Sequence, residues 1–345
     1  MVRQYDPATV VPPSDTAVSS PRGLLVGIDL GGTKCLGVAV DEGGSVVGEH
    51  RRATPVGTEA IIETIAAVAL ALGRPVAVGV GAPGLVDVDG MLRFAPNLPG
   101  VVDVPLRAAV EARLPGIHVR VENDASAAGW AESQLGAAKG AHHALTVTLG
   151  TGIGGGVISG GTMLRGASGF AGEIGHMVVD PHGPPCTCGK QGCWERLGSG
   201  SGLGRLAREA AVADPRSRMV ELAGGDPEDV RGEHVSRAAG EGDEHACAVV
   251  AQFAWWVALG LANLAAIFDP EVIVLGGGLV AAGDVLLAPV RDAFAELVEG
   301  GEHRPEVAIV AADLGERAGA IGAALLAGRD SAAWTLAGRQ QGEAG

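Results

Sequence analysis

Four residues of this chain have the donor chemistry of a metal centre: His176, Cys186, Cys188 and Cys193. Their spacing is H-x9-C-x-C-x4-C, with Gly189 and Gly192 permitting tight turns between ligands. One imidazole and three thiolates make a closed tetrahedral set, the pattern of structural zinc. His182 competes for the imidazole position from the same loop. Cys35 and Cys247 stand apart and read as small core residues. Glu173 lies just before the loop, and Glu195 just after Cys193. Carboxylates fixed by a metal loop can accept hydroxyl hydrogens and so orient a polyol. Glu195 has a second reading as a first-turn charge favoured by a helix dipole, and Asn97 has one as a turn residue.

A further carboxylate sits in Glu122-Asn123-Asp124, at the end of an apolar run. Asp124 there can take a proton from a hydroxyl while that oxygen attacks phosphorus. The alternative is a helix cap, a role that favours both Asp and Asn. Three glycine-rich turns complete the set. Asp29-Leu30-Gly31-Gly32-Thr33-Lys34 follows a strand pattern, so backbone amides can form an anion nest, Thr33 adds a hydroxyl, and Asp29 can hold Mg²⁺. Gly150-Thr151-Gly152 opens a second such turn, running to Gly155. Gly276-Gly277-Gly278 lies between a strand and a helix, where a base or ribose can approach closely. Each turn also reads as an ordinary chain reversal. None fits the single-loop Gly-Lys-Ser/Thr pattern or a dinucleotide fingerprint.

The elements that must position these residues follow from periodicity. Leu24–Leu30, Cys35–Val40 and Ser45–Arg52 read as an antiparallel trio of strands, followed by a helix over Thr58–Leu72. Pro75–Val80 and His118–Val121 read as strands and Ala125–Leu135 as a helix. Ala144–Leu149, a glycine turn and a strand from Gly156 to Ser159 then repeat the opening, which implies two related halves. Helices are expected over Glu195–Ala211, Glu244–Phe268, Asp284–Leu297 and Glu316–Ala327, and strands over Glu271–Leu275 and Glu306–Val310. Such alternation means an α/β architecture. Residues 1–22 are expected to be disordered and 329–345 a loose tail. Residues 23–127 plus 316–328 are expected to form a small domain, and 128–315 a large one carrying the metal loop.

Composition narrows the function. The 345 residues are 47% hydrophobic with 56 Gly, enough for a large aliphatic core. The net charge of −15 argues against a nucleic-acid partner, whose phosphates call for a basic face. No uninterrupted apolar stretch is long enough to span a bilayer, so no membrane role is expected, and clustered thiols suit a reducing, cytoplasmic setting. The helix around Phe253, Trp255 and Trp256 reads as core or as a dimer face.

Taken together, the motifs resemble the family of repressors, open reading frames and kinases (ROK), and within it the bacterial glucokinases. The resemblance covers residues 23–327. It rests on Ile28–Lys34, Glu122–Ala125, Leu149–Gly156, Gly172–His176 and Cys186–Glu195. It implies a two-domain actin-like, hexokinase-like ATPase fold with ribonuclease H-like duplicated halves about a cleft. It implies ATP with Mg²⁺ as donor, structural Zn²⁺, and phosphorylation of a hexose 6-hydroxyl, glucose first. N-acetylmannosamine, mannose, fructose or allose are alternative acceptors. A sugar-responsive repressor is the rival of another class. Asp124 would be the base. Asn97, Asn123, Glu173, His176 and Glu195 would contact the sugar. Gly31, Gly32, Thr33, Lys34, Gly150, Thr151 and Gly152 would face the phosphates, and Gly276 to Gly278 the adenosine. A homodimer or homotetramer is the expected assembly.

Overall fold

The structure, a computed structural model, describes residues 23–41 and 43–340; the segment expected to be disordered, residues 1–22, lies outside the described residues. In chain order the first half contains β1 (Leu25–Leu30), β2 (Lys34–Val40), β3 (Val46–Ala53), α1 (Thr58–Ala71), β4 (Ala77–Ala82), β5 (Leu85–Val86), β6 (Leu92–Phe94), β7 (Val102–Val104), α2 (Leu106–Arg113), β8 (His118–Asn123) and α3 (Asp124–Leu135). The second half contains β9 (Ala144–Leu149), β10 (Ile153–Ser159), β11 (Thr162–Met163), α4 (Trp194–Gly198), α5 (Gly200–Ala213), α6 (Arg218–Leu222), α7 (Gly232–Gly240), α8 (Glu244–Phe268), β12 (Val272–Gly276), α9 (Asp284–Leu297), β13 (Ala308–Ala311) and α10 (Ala318–Gln340).

The duplication read from two glycine turns extends through two whole sheets. The first runs β3-β2-β1-β4-β8 and the second β11-β10-β9-β12-β13. In each, three antiparallel strands lead and two parallel strands follow. The parallel strands β4 (AVGVGA) and β12 (VIVLG) are buried along their whole length, as expected of strands covered on both faces. A small sheet, β5-β6-β7, is inserted before α2 and has no counterpart in the second half.

Two helices tie the sheets together. α10 lies on β1 and β4 at backbone distance: a Cβ on Gly27 would fall 1.8 Å from the Ala320 carbonyl oxygen, and one on Gly79 1.8 Å from that of Ala323. α3 presses on β10, where a Cβ on Gly156 would meet the Gly129 Cα at 2.9 Å. Gly79→Ala should therefore lower stability by about 3 kcal/mol, the upper range for overpacking, because backbone cannot rotate aside. Denaturant unfolding would show this as a lower midpoint at constant slope.

Several sequence expectations change here. α10 continues to Gln340, through residues expected to form a loose tail from 329. The single helix expected over Glu195–Ala211 is two, because Ser199 is extended and caps α5 by accepting from the Gly202 amide. On α8, Phe253 is fully buried and Trp255 is 40% exposed. By length and composition α8 is the one helix among the described residues able to cross a membrane, and 56% of its apolar window is packed inside the protein.

Candidate active site and metal centre

At Glu122-Asn123-Asp124 the helix cap is Asn123. Asn123 ends β8 with extended backbone and caps α3, its Oδ1 accepting from the Ser126 amide at 2.9 Å and its Nδ2 donating to the Gly84 carbonyl at 3.1 Å. Asp124 is thereby released from capping and stands at the first helical position. One of its oxygens accepts from the Ala125 amide at 2.8 Å. Glu122 turns away from the cleft, buried between Arg120 and Arg165 at 2.9 and 2.8 Å.

Asp124 faces a cleft of about 200 Å³ between the two sheets, opposite Asp29 at the end of β1. Thr146, Thr148, Gly276 and Gly277 wall it from the second half. Burial pushes the Asp124 carboxyl up to about 6 against the lowering effect of its backbone bonds. Burial, then the charge of Asp124, pushes Asp29 up to about 7. Glu173 is raised to about 7 by burial, then by Asp124 and Glu195. These carboxylates share a region short of positive charge, which suits a cation or polarised hydroxyls between them. A larger cavity of about 400 Å³, lined by α9 and β13, holds none of these residues.

Glu173, His176 and Glu195 are delivered by close packing on β10. A Cβ on Gly155 would meet the Gly172 carbonyl at 2.7 Å, and one on Gly175 the Ile153 carbonyl at 2.3 Å. Glu195, on α4, accepts from the Ile153 amide at 3.1 Å; a Cβ on Gly152 would sit 2.3 Å from its Oε2. A side chain at position 152 would therefore displace the Glu195 carboxylate. The turn itself is shorter than expected. Gly150 donates to the Gly152 carbonyl at 3.0 Å and β10 begins at Ile153, so Gly154 and Gly155 are strand glycines whose missing side chains admit α3 and the Gly172–His176 segment.

In the first turn Gly31 donates to the Lys34 carbonyl at 2.9 Å, closing the hairpin. Gly32 and Thr33 are exposed at its tip. Gly32 makes room for the exposed Asn97, whose carbonyl oxygen lies 2.8 Å from where its Cβ would be. The Lys34 ammonium is paired with Glu316 at 2.7 Å; Arg51 shares the same carboxylate. Gly277 adopts a φ of 86° and abuts the Leu149 backbone, which fits Gly276 and Gly277 into the cleft wall and leaves Gly278 beyond it.

The ligand atoms of His176, Cys186, Cys188 and Cys193 all lie within 4.8 Å of one another and could hold a metal ion. The Cys188 and Cys193 sulfurs are 3.5 Å apart, near the ~3.8 Å edge of a tetrahedron with zinc–sulfur bonds of about 2.3 Å. His176 turns Nδ1 toward the Cys186 sulfur at 3.7 Å and Nε2 toward Glu173 at 4.0 Å. His182 is outside the group, its amide bound to Asp180 at 2.9 Å.

The net charge of −15 gives no hint of a basic groove, yet the structure holds one. Arg196, Arg205, Arg208 and Arg231 line a recess of about 790 Å³ that starts at Gly150 and Thr151 and includes Gly278. The available signal was Gly200, Ser201, Gly204, Arg205 and Arg208, spaced to share one face of α5. Arg231 arrives from a separate segment.

Comparison with known proteins gives the family. The ROK family pattern matches residues 25–330. The glucokinase of Streptomyces coelicolor is 43% identical over 311 residues, 88% of this chain and 98% of that protein. The glucokinase of Thermotoga maritima is 37% identical over 88% of this chain and 97% of its own length. The crystal structure of a ROK family glucokinase from Streptomyces griseus with glucose and AMPPNP superposes with a TM-score of 0.79 at 42% identity, covering 88% of this chain and 99% of that one.

Proposed function

The chain belongs to the ROK family, and from that premise we propose that it is an ATP-dependent glucokinase, moving the γ-phosphoryl group to the 6-hydroxyl of glucose. The observation that carries this is the placement of Asp124: freed from capping by Asn123, it faces a cleft shared with Asp29 and lies close enough to Glu173 for its charge to raise that carboxyl. The crystal structure of the similar Streptomyces griseus enzyme with glucose and AMPPNP supports the choice of both substrates.

Asp124 is the general base, aligning the sugar hydroxyl and receiving its proton as the phosphoryl group transfers. Glu173, Glu195 and the Nε2 side of His176 take the sugar hydroxyls. Asn123 keeps one Nδ2 hydrogen and one Oδ1 lone pair for the same sugar beyond its two bonds in the fold. Asn97, on the loop that rests on Gly32, reaches it as the cleft closes. The turns at Gly31–Lys34 and Gly150–Gly152 face the phosphates, with Asp29 holding Mg²⁺ directly or through water. Lys34 exchanges Glu316 for a phosphate oxygen on closure. Gly276 to Gly278 border the nucleoside.

Zinc is the metal that the sulfur-rich donor set fits, bound through Nδ1 of His176. It would fix the loop whose two ends supply the sugar contacts. The small domain is residues 23–127 with 316–328, and the large one 128–315, supported by the packing of α10 on β1 and β4. The free cysteines suit a cytoplasmic enzyme at the entry to glycolysis. Its partners are its two substrates and its own copies in a homodimer or homotetramer. Nucleic acid is not among them.

A coupled assay of ADP release across glucose, mannose, fructose, allose and N-acetylmannosamine tests the reading. Release with no sugar would favour a sensor and end the kinase assignment. The pH profile is a second test. A base must be unprotonated; burial holds Asp124 up at about 6, and Asp29 and Glu173 at about 7, so kcat/KM should fall as pH drops through about 7 to about 6, by tenfold per unit or more below that. A profile flat from neutrality down to pH of about 4.5 would exclude Asp124 as the base.

A further inference from the structure

The arginine recess supports a statement about the donor that rests on the kinase reading of the adjoining cleft. The whole chain carries a net charge of −15, yet four guanidinium groups converge here. Among the described residues only Arg205 has a carboxylate partner, the exposed Glu209 at 2.8 Å. The Nε atoms of Arg196 and Arg205 are buried with no hydrogen-bond partner. Guanidinium N–H groups without a carboxylate, as at Arg196, Arg208 and Arg231, are left for an acceptor that enters the recess.

The floor of the recess has no side chain that could identify a base. Gly200, Ser201 and Gly204 form a smooth stripe on α5, and Gly232, Gly278 and Leu279 complete it. From Gly200 to Arg208 the helix advances about 12 Å, the length of a nucleoside with its first phosphate. Among the described residues no Asn, Gln, Asp, Glu, His or aromatic residue lines the space. The hydroxyls are those of Thr151, in the phosphate turn, and Ser201, which donates to the Thr151 carbonyl at 2.8 Å. Arginine only donates, so it cannot match the mixed donor–acceptor edge that separates adenine from guanine or uracil. Its plane stacks on any base and its N–H groups grip any phosphate or ribose oxygen.

We propose that the donor is recognised as a phosphate chain carrying any flat base, so that GTP, UTP and CTP also phosphorylate the sugar, with no strong preference for ATP. The step is the same for each. The bond from the γ-phosphorus to the β-bridging oxygen breaks, the bond from the sugar oxygen to phosphorus forms, the hydroxyl proton passes to Asp124, and the nucleoside diphosphate leaves.

The test measures glucose 6-phosphate formation by the full chain with saturating glucose and Mg²⁺, which reads every donor alike. The kcat/KM values for GTP, UTP and CTP should fall within about thirtyfold of that for ATP, the range left when no hydrogen bond reads the difference. A larger preference for ATP overturns the inference. Arg208→Gln and Arg231→Gln should raise the KM for ATP and for UTP by the same factor, about tenfold, and leave the KM for glucose unchanged. A rise for ATP alone, or a matching rise for glucose, also overturns it. No product from any donor, ATP included, would overturn the kinase reading with it.

Discussion

Asp124→Asn should lose at least about a hundredfold in kcat while unfolding at a higher temperature than the parent. The first effect follows from the proposed role, since an amide of the same shape cannot take the hydroxyl proton. The second follows from burial. The Asp124 carboxyl rises from 3.8 to about 6 on folding, so at neutral pH the folded protein holds an ion that its surroundings disfavour. A shift of about two units corresponds to roughly 3 kcal/mol, and partial exposure to the cleft reduces this to roughly 1–2 kcal/mol. Asn removes that burden, keeps the acceptor for the Ala125 amide, and relieves the repulsion that raises Asp29.

The sign can be checked with pH. A raised folded value means the parent gains stability as pH falls from about 7 to about 4, as the carboxyl protonates in the fold first. The advantage of the variant should therefore be greatest above neutrality, a few degrees in Tm, and vanish near pH 4. Scanning calorimetry of both proteins across this range decides it. Near-parental kcat would sink the base assignment, and equal Tm at pH 8 would sink the burial argument. A hundredfold loss of kcat together with a higher Tm would describe a carboxylate kept at some expense of stability because the reaction needs it.

The sequence made the site legible where chemistry requires a particular residue type at a particular spacing. The His176–Cys193 ligands are such a case, and the structure closes them into one group. Asp124 was legible only as one of two candidates, because a cap and a base draw on the same residues; three-dimensional placement of Asn123 separates them. Glycine is ambiguous for another reason. Gly150 and Gly152 turn the chain, while Gly154, Gly155 and Gly156 admit neighbours, and both uses look alike in a linear string. The break at Ser199 is hidden because the apolar spacing runs on through α4 and α5, and only the extended backbone of Ser199 separates the two helices. β5, β6 and β7 span two or three residues each, below the length at which alternation is visible. The arginine recess needs Arg231 beside α5, a juxtaposition made by the fold alone. What periodicity did convey was the duplication, because each half must bury its own apolar sheet.

Loss of the metal should raise the KM for glucose at least tenfold while leaving the KM for ATP within about twofold. The effect passes through α4. Cys193 is fully buried and occupies the N-cap position of that helix. The next residue, Trp194, is locked by donating its amide to the Met177 carbonyl and its indole to the Trp256 carbonyl, both at 2.8 Å. A Cβ on Gly260 would sit 1.9 Å from that indole, so the ring has no room to shift. Glu195 follows at once, and His176 stands at the other end of the same loop. The metal would therefore hold two sugar contacts in register from opposite ends, whereas Gly150, Thr151 and Gly278 depend on strand ends that it does not touch. Zinc in isolated finger peptides contributes about 10–16 kcal/mol, an upper bound here because the rest of the fold stands without it. Cys188→Ser is the cleaner variant, since Cys188 is exposed and its hydroxyl replacement disturbs no packing. The parent should contain one zinc per chain, and cobalt substitution should give thiolate-to-metal absorption that the variant lacks. If chelation strips the metal and the KM for glucose stays within twofold, the loop is organised by packing alone and the metal has no part in holding the sugar.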